Sequence, residues 1–504
     1  MPVSVNAVVP FARVAADIPE RPAVCTLHEH ITYRALERRA GGVAKCVAST
    51  PGTAPVLLLA NSGVDLAAGA LGALSAGRAV IPTDPRIGPR NLTDLARRMD
   101  VSAMIISDAT FVDRLEVSAG VSRIIPADVE PAPLCPQPVD DRSTALIGFT
   151  SGSTGSPRPI RETHQLTTTR LGQEDPGDPN AGERLGMLLG ATNPAVRRIL
   201  GLLSRGGTVS CFDARRHPAQ QLLRGFADHG VTYLVLTPTY LRRLLQAAGP
   251  VPSLPALRVL AAVGEPLDWQ DVAAVRQKLS PSCVIKHGYA LTETSRVTRR
   301  LIEPDEPVGV GTVPVGRPRP GQTVWIVSEN GTPAPAGEVG EIVIESTTIR
   351  EGVETKDLPS GERRYRTGDL GRFLPDGQLA ILGRVDRMIK IGGIRVEPQR
   401  IEDILREVDG VDEVAVVAAT SSDGHTQMVA HLAGTPGRSL LDDSIRAHAQ
   451  QHLHAAAVPT RLVWHPDGLP TLPSGKVDLV SLAAWEPAAT ASSAHHDTGS
   501  LVRD

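Results

Sequence analysis

Aromatic side chains are scarce in this chain: six Phe, four Trp and five Tyr make up 3% of its 504 residues. Stacking successive bases of a single strand needs more aromatic surface than that. Charge of one sign is lacking too. Lys and Arg number 52 against 55 Asp and Glu, a net charge of −3, which leaves no basic surplus for a polyanion. The five cysteines, Cys25, Cys46, Cys135, Cys211 and Cys283, are scattered without metal-ligand spacing and read as reduced thiols. No apolar run reaches the roughly 18 residues that cross a membrane. The N-terminal stretch MPVSVNAVVPFARVAADIPERP has no charged segment followed by an apolar core, so it does not read as a signal peptide. The expectation is a cytoplasmic protein whose partners are neither nucleic acid nor membrane.

What is present is 41% hydrophobic residues on a chain long enough for more than one domain. In the first half, short apolar runs alternate with helical patterns. Residues 55–60, 79–82 and 102–106 read as strands, and 65–77 and 91–99 as helices. The rhythm resumes further on, with strands at 231–236, 257–263 and 284–287 and helices at 238–248 and 268–279. Such alternation argues for parallel sheets covered by helices. From about Gly309 the texture changes to antiparallel strands, 324–327 and 341–344, with turns at Asn330-Gly331 and Pro375-Asp376-Gly377. From Pro398 a helix (399–408), strands (414–419, 428–432) and a second helix (439–453) suggest a small α+β unit of about a hundred residues, the size of a domain. The joint falls near Gly383-Arg384-Val385-Asp386. The expected domains are therefore 1–384 and 385–486, with 487–504 as a disordered tail.

One loop organises the rest. The apolar run Ala145-Leu146-Ile147-Gly148-Phe149 reads as a buried strand, and after it Thr150 to Pro159 is almost wholly Ser, Thr, Gly and Pro. Such a loop presents backbone N–H groups and hydroxyls, and its glycines admit positive φ, so it can wrap an anion such as phosphate. It has neither the Gly-Lys-Ser/Thr ending of a Walker A loop nor the dinucleotide spacing. Alone, this composition is more often that of an ordinary linker.

Its companions decide. Leu71-Gly72-Ala73 through Ile81-Pro82-Thr83-Asp84-Pro85, the loop itself, Gly288-Tyr289-Ala290-Leu291-Thr292-Glu293, Tyr365-Arg366-Thr367-Gly368-Asp369-Leu370, Gly383 to Glu402, and Leu472-Pro473-Ser474-Gly475-Lys476-Val477-Asp478 follow in that order. Together, over nearly the whole length, they resemble the adenylate-forming superfamily of acyl-CoA synthetases, peptide-synthetase adenylation domains and luciferases, here as a stand-alone member. The fold class this implies is α/β: a large N-terminal domain of helix-covered sheets plus a β-rich subdomain, hinged to a small C-terminal α+β domain. The implied chemistry is attack of a carboxylate on the α-phosphorus of ATP, giving an acyl adenylate and pyrophosphate. Such transfers depend mostly on positioning and charge stabilisation.

The resemblance also implies roles for particular residues. Thr150, Ser151, Gly152, Ser153, Thr154, Gly155 and Arg158 would hold the phosphates. Thr292 would contact the α-phosphate, Glu293 would bind Mg²⁺, a hard cation that takes oxygen ligands, and Tyr289 would offer a face to the adenine. Asp369 would accept both ribose hydroxyls, with Arg384 as its basic companion. Lys476 would be the catalytic cation between the substrate carboxylate and the α-phosphate. Asp386 matches the hinge, and Lys390, Gly392 and Gly393 the loop that meets a pantetheine arm after the small domain has turned. The hinge implies a second substrate, a thiol: coenzyme A or the phosphopantetheine of a discrete carrier protein. Arg395-Val396-Glu397 resembles the carrier-loading versions. An amine acceptor, giving an amide, stays open.

Two departures stand out. The phosphate loop ends Arg158-Pro159 where the family has Lys-Gly; Arg keeps the charge, but Pro removes a donor and a flexible position. This change is the sole support for a non-catalytic nucleotide-binding homologue, against which stand Lys476, Glu293 and Asp369. At Asn193, amino-acid-activating members carry an Asp for the substrate ammonium, while members activating hydroxylated benzoic acids carry Asn. An aryl or other non-amino acid is expected. Matching pocket positions are Arg197, Val235, Ala261, Val263, Gly288, Arg296 and Val297. If both arginines point inward, the pocket would suit a second anionic group on the substrate; otherwise they extend to solvent.

Overall fold

The computed structural model describes residues 6–60, 62–83, 89–107, 121–149, 159–172, 182–188, 190–214, 216–249, 253–328, 330–387, 389–391, 394–420, 426–434, 442–453, 457–472 and 476–483. The chain divides into two compact units, Met1–Met388 with Thr471–Lys476, and Ile389–Pro470 with Val477–Asp504.

Two largely parallel sheets fill the larger unit. Edge to edge among the described residues, the first runs Arg317–Pro318, Thr298–Ile302, Val284–His287, Val259–Ala262, Tyr233–Leu236, Arg184–Leu188, Thr208–Phe212, Pro22–Cys25 and His30–Thr32. Its six inner strands are parallel, and the chain turns antiparallel only at the edges. The second sheet runs Ser122–Ile124, Ala103–Ile106, Val56–Leu59, Val80–Pro82, Thr144–Phe149 and Pro159–Thr163, with only the last strand antiparallel. Strands covered on both faces must be apolar throughout rather than alternating. Val56, Leu57, Leu58 and Leu59 are accordingly all buried.

The helix Gly63–Ser75 packs against strands of both sheets. Ser62 caps it by accepting the Asp65 N–H at 3.1 Å, and every residue of the helix except Asp65 is buried. A helix apolar on all sides belongs inside a large protein. Its Leu66, Leu71 and Leu74 are fully buried, each worth about 1.5–3 kcal/mol relative to exposure. The small residues between them admit close neighbours: a Cβ at Gly72 would lie 2.7 Å from the Ala40 carbonyl oxygen.

The strands expected after Gly309 form an antiparallel sheet in which Gly340–Ser346 lies between Thr323–Val327 and Arg363–Phe373. The Asp376-Gly377 turn joins Arg363–Phe373 to Leu379–Arg384, with Gly377 at φ 78°. In the smaller unit the strands Glu413–Thr420, Thr426–Ala433 and Arg461–Trp464 form a sheet packed by Pro398–Arg406 and Leu479–Ala483, and Asp442–His452 packs in turn on Pro398–Arg406. Inside it, the buried rings of His431 and His465 share a hydrogen bond of 2.9 Å between Nδ1 and Nε2.

Candidate active site

Parallel strands bring their carboxyl ends to one edge, and open α/β sheets bind ligands there. Four neighbouring strands of the first sheet deliver the candidate residues to that edge. Arg184–Leu188 leads to Asn193, Tyr233–Leu236 to Thr237, Val259–Ala262 to Gly264 and Glu265, and Val284–His287 to Tyr289, Thr292 and Glu293.

The nucleotide candidates form a connected cluster. Asp369 is 6% exposed; its carboxylate accepts the Tyr289 hydroxyl on Oδ2 and Arg384 Nη1 on Oδ1 at 3.1 Å. Burial and then the Asp369 charge push the Tyr289 hydroxyl well above its ordinary range, so it remains a donor. Along Arg363–Phe373 alternate side chains share a face, which sets Tyr365, Thr367 and Asp369 together. Thr367 Oγ1 accepts the Asp369 N–H at 3.0 Å and fixes its approach. The Tyr365 hydroxyl donates to the carboxylate of Glu293, which is half-buried, whereas Thr292 is exposed. Gly288 has to be glycine here, because a Cβ would sit 2.6 Å from the Thr298 carbonyl oxygen.

Asn193 opens the helix Asn193–Leu203, whose N-cap Thr192 accepts the Ala195 N–H at 3.3 Å. Its side chain lies against the end of Thr144–Phe149. A Cβ at Gly148 would be 2.8 Å from Asn193 Nδ2 and 3.8 Å from Thr292 Cγ2. Asn193 Oδ1 is buried and accepts no hydrogen bond among the described residues. Leaving such an acceptor unmatched costs about 1–3 kcal/mol, so a hydrogen-bond donor fits there.

The other pocket candidates are more varied. Val235 and Ala261 are buried, and Val263 is half-buried. Val297 is fully buried in the cluster that holds Tyr289 and Ile342. Arg296 is half-buried on Ser295–Arg296, opposite Ala290. Arg197, one helical turn after Asn193, does not extend to solvent. Its side chain is 17% exposed and donates from Nη1 to Glu162 Oε2 at 2.7 Å.

Lys476 is exposed and groups with the larger unit. A Cβ on Gly264 would lie 3.1 Å from Lys476 Cε, and Gly264 has φ 85°. The lysine charge acts on Glu265, whose Oε2 accepts the Thr239 N–H at 2.9 Å while Oε1 is buried without a partner among the described residues. Burial raises the Glu265 pKa, against the Thr239 hydrogen bonds and the charges of Arg242 and Lys476.

Some candidates cannot be placed. Thr150, Ser151, Gly152, Ser153, Thr154, Gly155 and Arg158 lie outside the described residues, as do Gly392 and Gly393 and the stretch 487–504. The backbone of Asp386 belongs to the 3-10 turn Val385–Arg387, and Lys390 lies on Ile389–Ile391. Pro159 is the first residue of the edge strand Pro159–Thr163, opposite Phe149, a position where a missing N–H is tolerated. Conversely, Glu265, Tyr365 as a partner of Glu293, and Glu162 were not singled out from the sequence. For Tyr365 the alternation along its strand was the available signal.

The sequence matches the AMP-binding enzyme family over residues 11–353 and the AMP-binding enzyme C-terminal domain over residues 400–476. It is 28% identical to the phenyloxazoline synthase MbtB of Mycobacterium sp. (strain MCS), across 94% of this chain and 41% of that protein. It is 29% identical to bacitracin synthase 1 of Bacillus licheniformis, across 95% of this chain and 9% of that protein. The chain thus spans less than half the length of these relatives. Its fold superposes on a benzoate CoA ligase from Burkholderia xenovorans LB400 with a TM-score of 0.78 at 20% identity, covering 95% of this chain and all (100%) of that one. The anthranilate CoA ligase AuaEII, in complex with anthranoyl-AMP, superposes with a TM-score of 0.77 at 20% identity, covering 96% and 98% of the two chains. For the amide bond synthetase McbA from Marinactinospora thermotolerans the values are 0.76, 22%, 95% and 99%. At such identities these likenesses speak to the fold.

Proposed function

The chain belongs to the AMP-binding enzyme family, and on that premise we propose that it activates a non-amino carboxylic acid, an aryl acid carrying a neutral O–H or N–H donor, as its acyl adenylate and passes the acyl group to the thiol of a separate carrier protein. The observation that carries the choice of acid is Asn193, whose buried Oδ1 has no partner among the described residues. A neutral amide oxygen can accept a phenol or aniline donor, but it supplies no charge to offset a buried ammonium. The benzoate and anthranilate named for two of the superposed ligases are aryl acids, which is in keeping with this choice.

The other residues are assigned by what each can hold. Asp369, kept in place by Tyr289, Arg384 and Thr367, is a buried acceptor suited to ribose hydroxyls. Glu293, fixed by Tyr365, offers the hard oxygen that Mg²⁺ prefers. Bound there, Mg²⁺ would supply charge neutralisation at the phosphates. Lys476 offers a cation to two anions that must approach each other, the substrate carboxylate and the α-phosphate, and so lowers their repulsion. Asp386 and Lys390 are assigned to the thiol-transfer step.

Product analysis by mass spectrometry tests the acid and the acceptor together. With ATP, Mg²⁺ and 2-hydroxybenzoate or 2-aminobenzoate, an acyl adenylate should form, and a phosphopantetheine-loaded carrier should be acylated faster than coenzyme A or a simple amine. Adenylates of α-amino acids alone would reject the acid assignment. Preferential acylation of coenzyme A or of an amine would reassign the acceptor.

A further inference from the structure

Glu162 was no candidate, yet its carboxylate is where three parts of the proposed site meet. It lies on the strand Pro159–Thr163 and is 1% exposed. Its Oε1 accepts the Thr167 hydroxyl at 3.3 Å. Its Oε2 accepts a hydrogen bond from Arg197 Nη1 at 2.7 Å and forms an ion pair with Arg350, whose Nη2 lies 3.0 Å away without hydrogen-bond geometry. Each arginine leads elsewhere. Arg197 stands one helical turn beyond Asn193 on the helix Asn193–Leu203. Arg350, 3% exposed, donates its backbone N–H to the Glu293 carbonyl at 2.9 Å. The segment carrying Arg350 is further held against the Glu162 strand, where Arg161 N–H meets the Glu351 carbonyl at 3.4 Å.

Resting on the adenylation reading above, we propose that Glu162 is a positioning residue that couples the acid-binding helix to the Glu293 turn. One buried carboxylate shared by two guanidiniums cannot move toward one without weakening the other. A buried charge left without its partner is costly, so this arrangement resists half-formed states. A shift of Asn193–Leu203 on acid binding is therefore transmitted through Arg197, Glu162 and Arg350 to the backbone of Glu293. In this way Glu162 acts on the reaction without touching a substrate.

The test is Mg·ATP binding by titration calorimetry in the absence of acid, on wild type, Glu162→Gln, Arg197→Met and the double variant, with thermal unfolding to show that each is folded. Arg197 belongs to the acid helix, so a merely structural or acid-contacting role leaves nucleotide affinity unmoved. Coupling instead predicts that Arg197→Met weakens Mg·ATP binding by about tenfold, within the 5–150-fold range of coupled sites. In the Glu162→Gln background the same change should do little more, because the link is already cut. If Glu162→Gln does not fold, Arg197→Met and Arg350→Met are compared singly, since Glu162 keeps one guanidinium in each, and coupling predicts weaker Mg·ATP binding in both. Nucleotide affinity unchanged in folded Arg197→Met, or effects that simply multiply in the double variant, overturn the coupling alone. A folded wild type with no affinity for Mg·ATP overturns the adenylation reading and the coupling with it.

Discussion

Lys476 is where the proposed chemistry is most exposed to a single substitution. It is exposed beside Gly264 and Glu265, so Lys476→Ala removes charge with little packing. The expected outcome is loss of acid-dependent adenylate formation by about 10²–10³-fold, the scale of removing one preorganised stabiliser. Transfer from a chemically supplied acyl adenylate to the thiol should be largely retained; equal loss of both steps in rapid-quench assays would remove Lys476 from its role. Asn193 makes a second prediction. Asn193→Leu should raise the KM for 2-hydroxybenzoate by about tenfold, the worth of one hydrogen bond to a buried acceptor, and leave benzoate nearly unchanged. At this scale the sequence singled out Tyr289, Glu293, Asp369 and Lys476 as candidates because their runs follow one another in a set order. It did not announce the Glu162 pair. Ile160 and Glu162 alternate onto the same inward face, so the signal was a carboxylate where the strand pattern calls for an apolar residue. Finding both its arginines took the fold, since they lie 35 and 188 positions further along the chain.

Among elements, the strand–helix rhythm from Val56 onward was legible because buried parallel strands are continuous apolar runs. The strand Pro22–Cys25 was not. It begins with Pro, and its parallel partner is Thr208–Phe212, far away in sequence, so no local turn reports the pairing. The sheet of the smaller unit carries a pH prediction. Burial, then the charges of His465 and Arg461, holds the His431 pKa down at about 4. Burial also lowers that of His465, opposed by the Glu413 charge. The unfolded chain therefore takes up protons near pH 6.5 that the folded unit refuses, and stability falls as pH drops from about 6.5 toward 4. A loss of order 2 kcal/mol is expected across that window, levelling off above pH 7. Urea unfolding followed by a probe in the smaller unit measures it. Replacing both histidines by Phe should flatten the curve; an unchanged slope would assign the pH dependence to other groups.

For the whole molecule, the order of motifs was enough for the family and the α/β class, although the first large sheet draws Pro22–Cys25 and His30–Thr32 from ahead of the second sheet and its remaining strands from after it. The backbone at Asp386 belongs to the turn Val385–Arg387, just ahead of the division of the two units at Met388/Ile389. If rotation there separates the two half-reactions, Asp386→Pro, which fixes φ near −65°, should spare adenylate formation and slow acyl transfer severalfold. Pre-steady-state measurement of the two steps distinguishes this from a general loss of folding, in which both decline.

Acid-dependent exchange of labelled pyrophosphate into ATP asks most directly whether this chain makes acyl adenylates of donor-bearing aryl acids. The prediction is exchange with 2-hydroxybenzoate and 2-aminobenzoate well above that with benzoate, and none above background with α-amino acids. Exchange driven by α-amino acids alone, or by no acid at all in a broad panel, would contradict it.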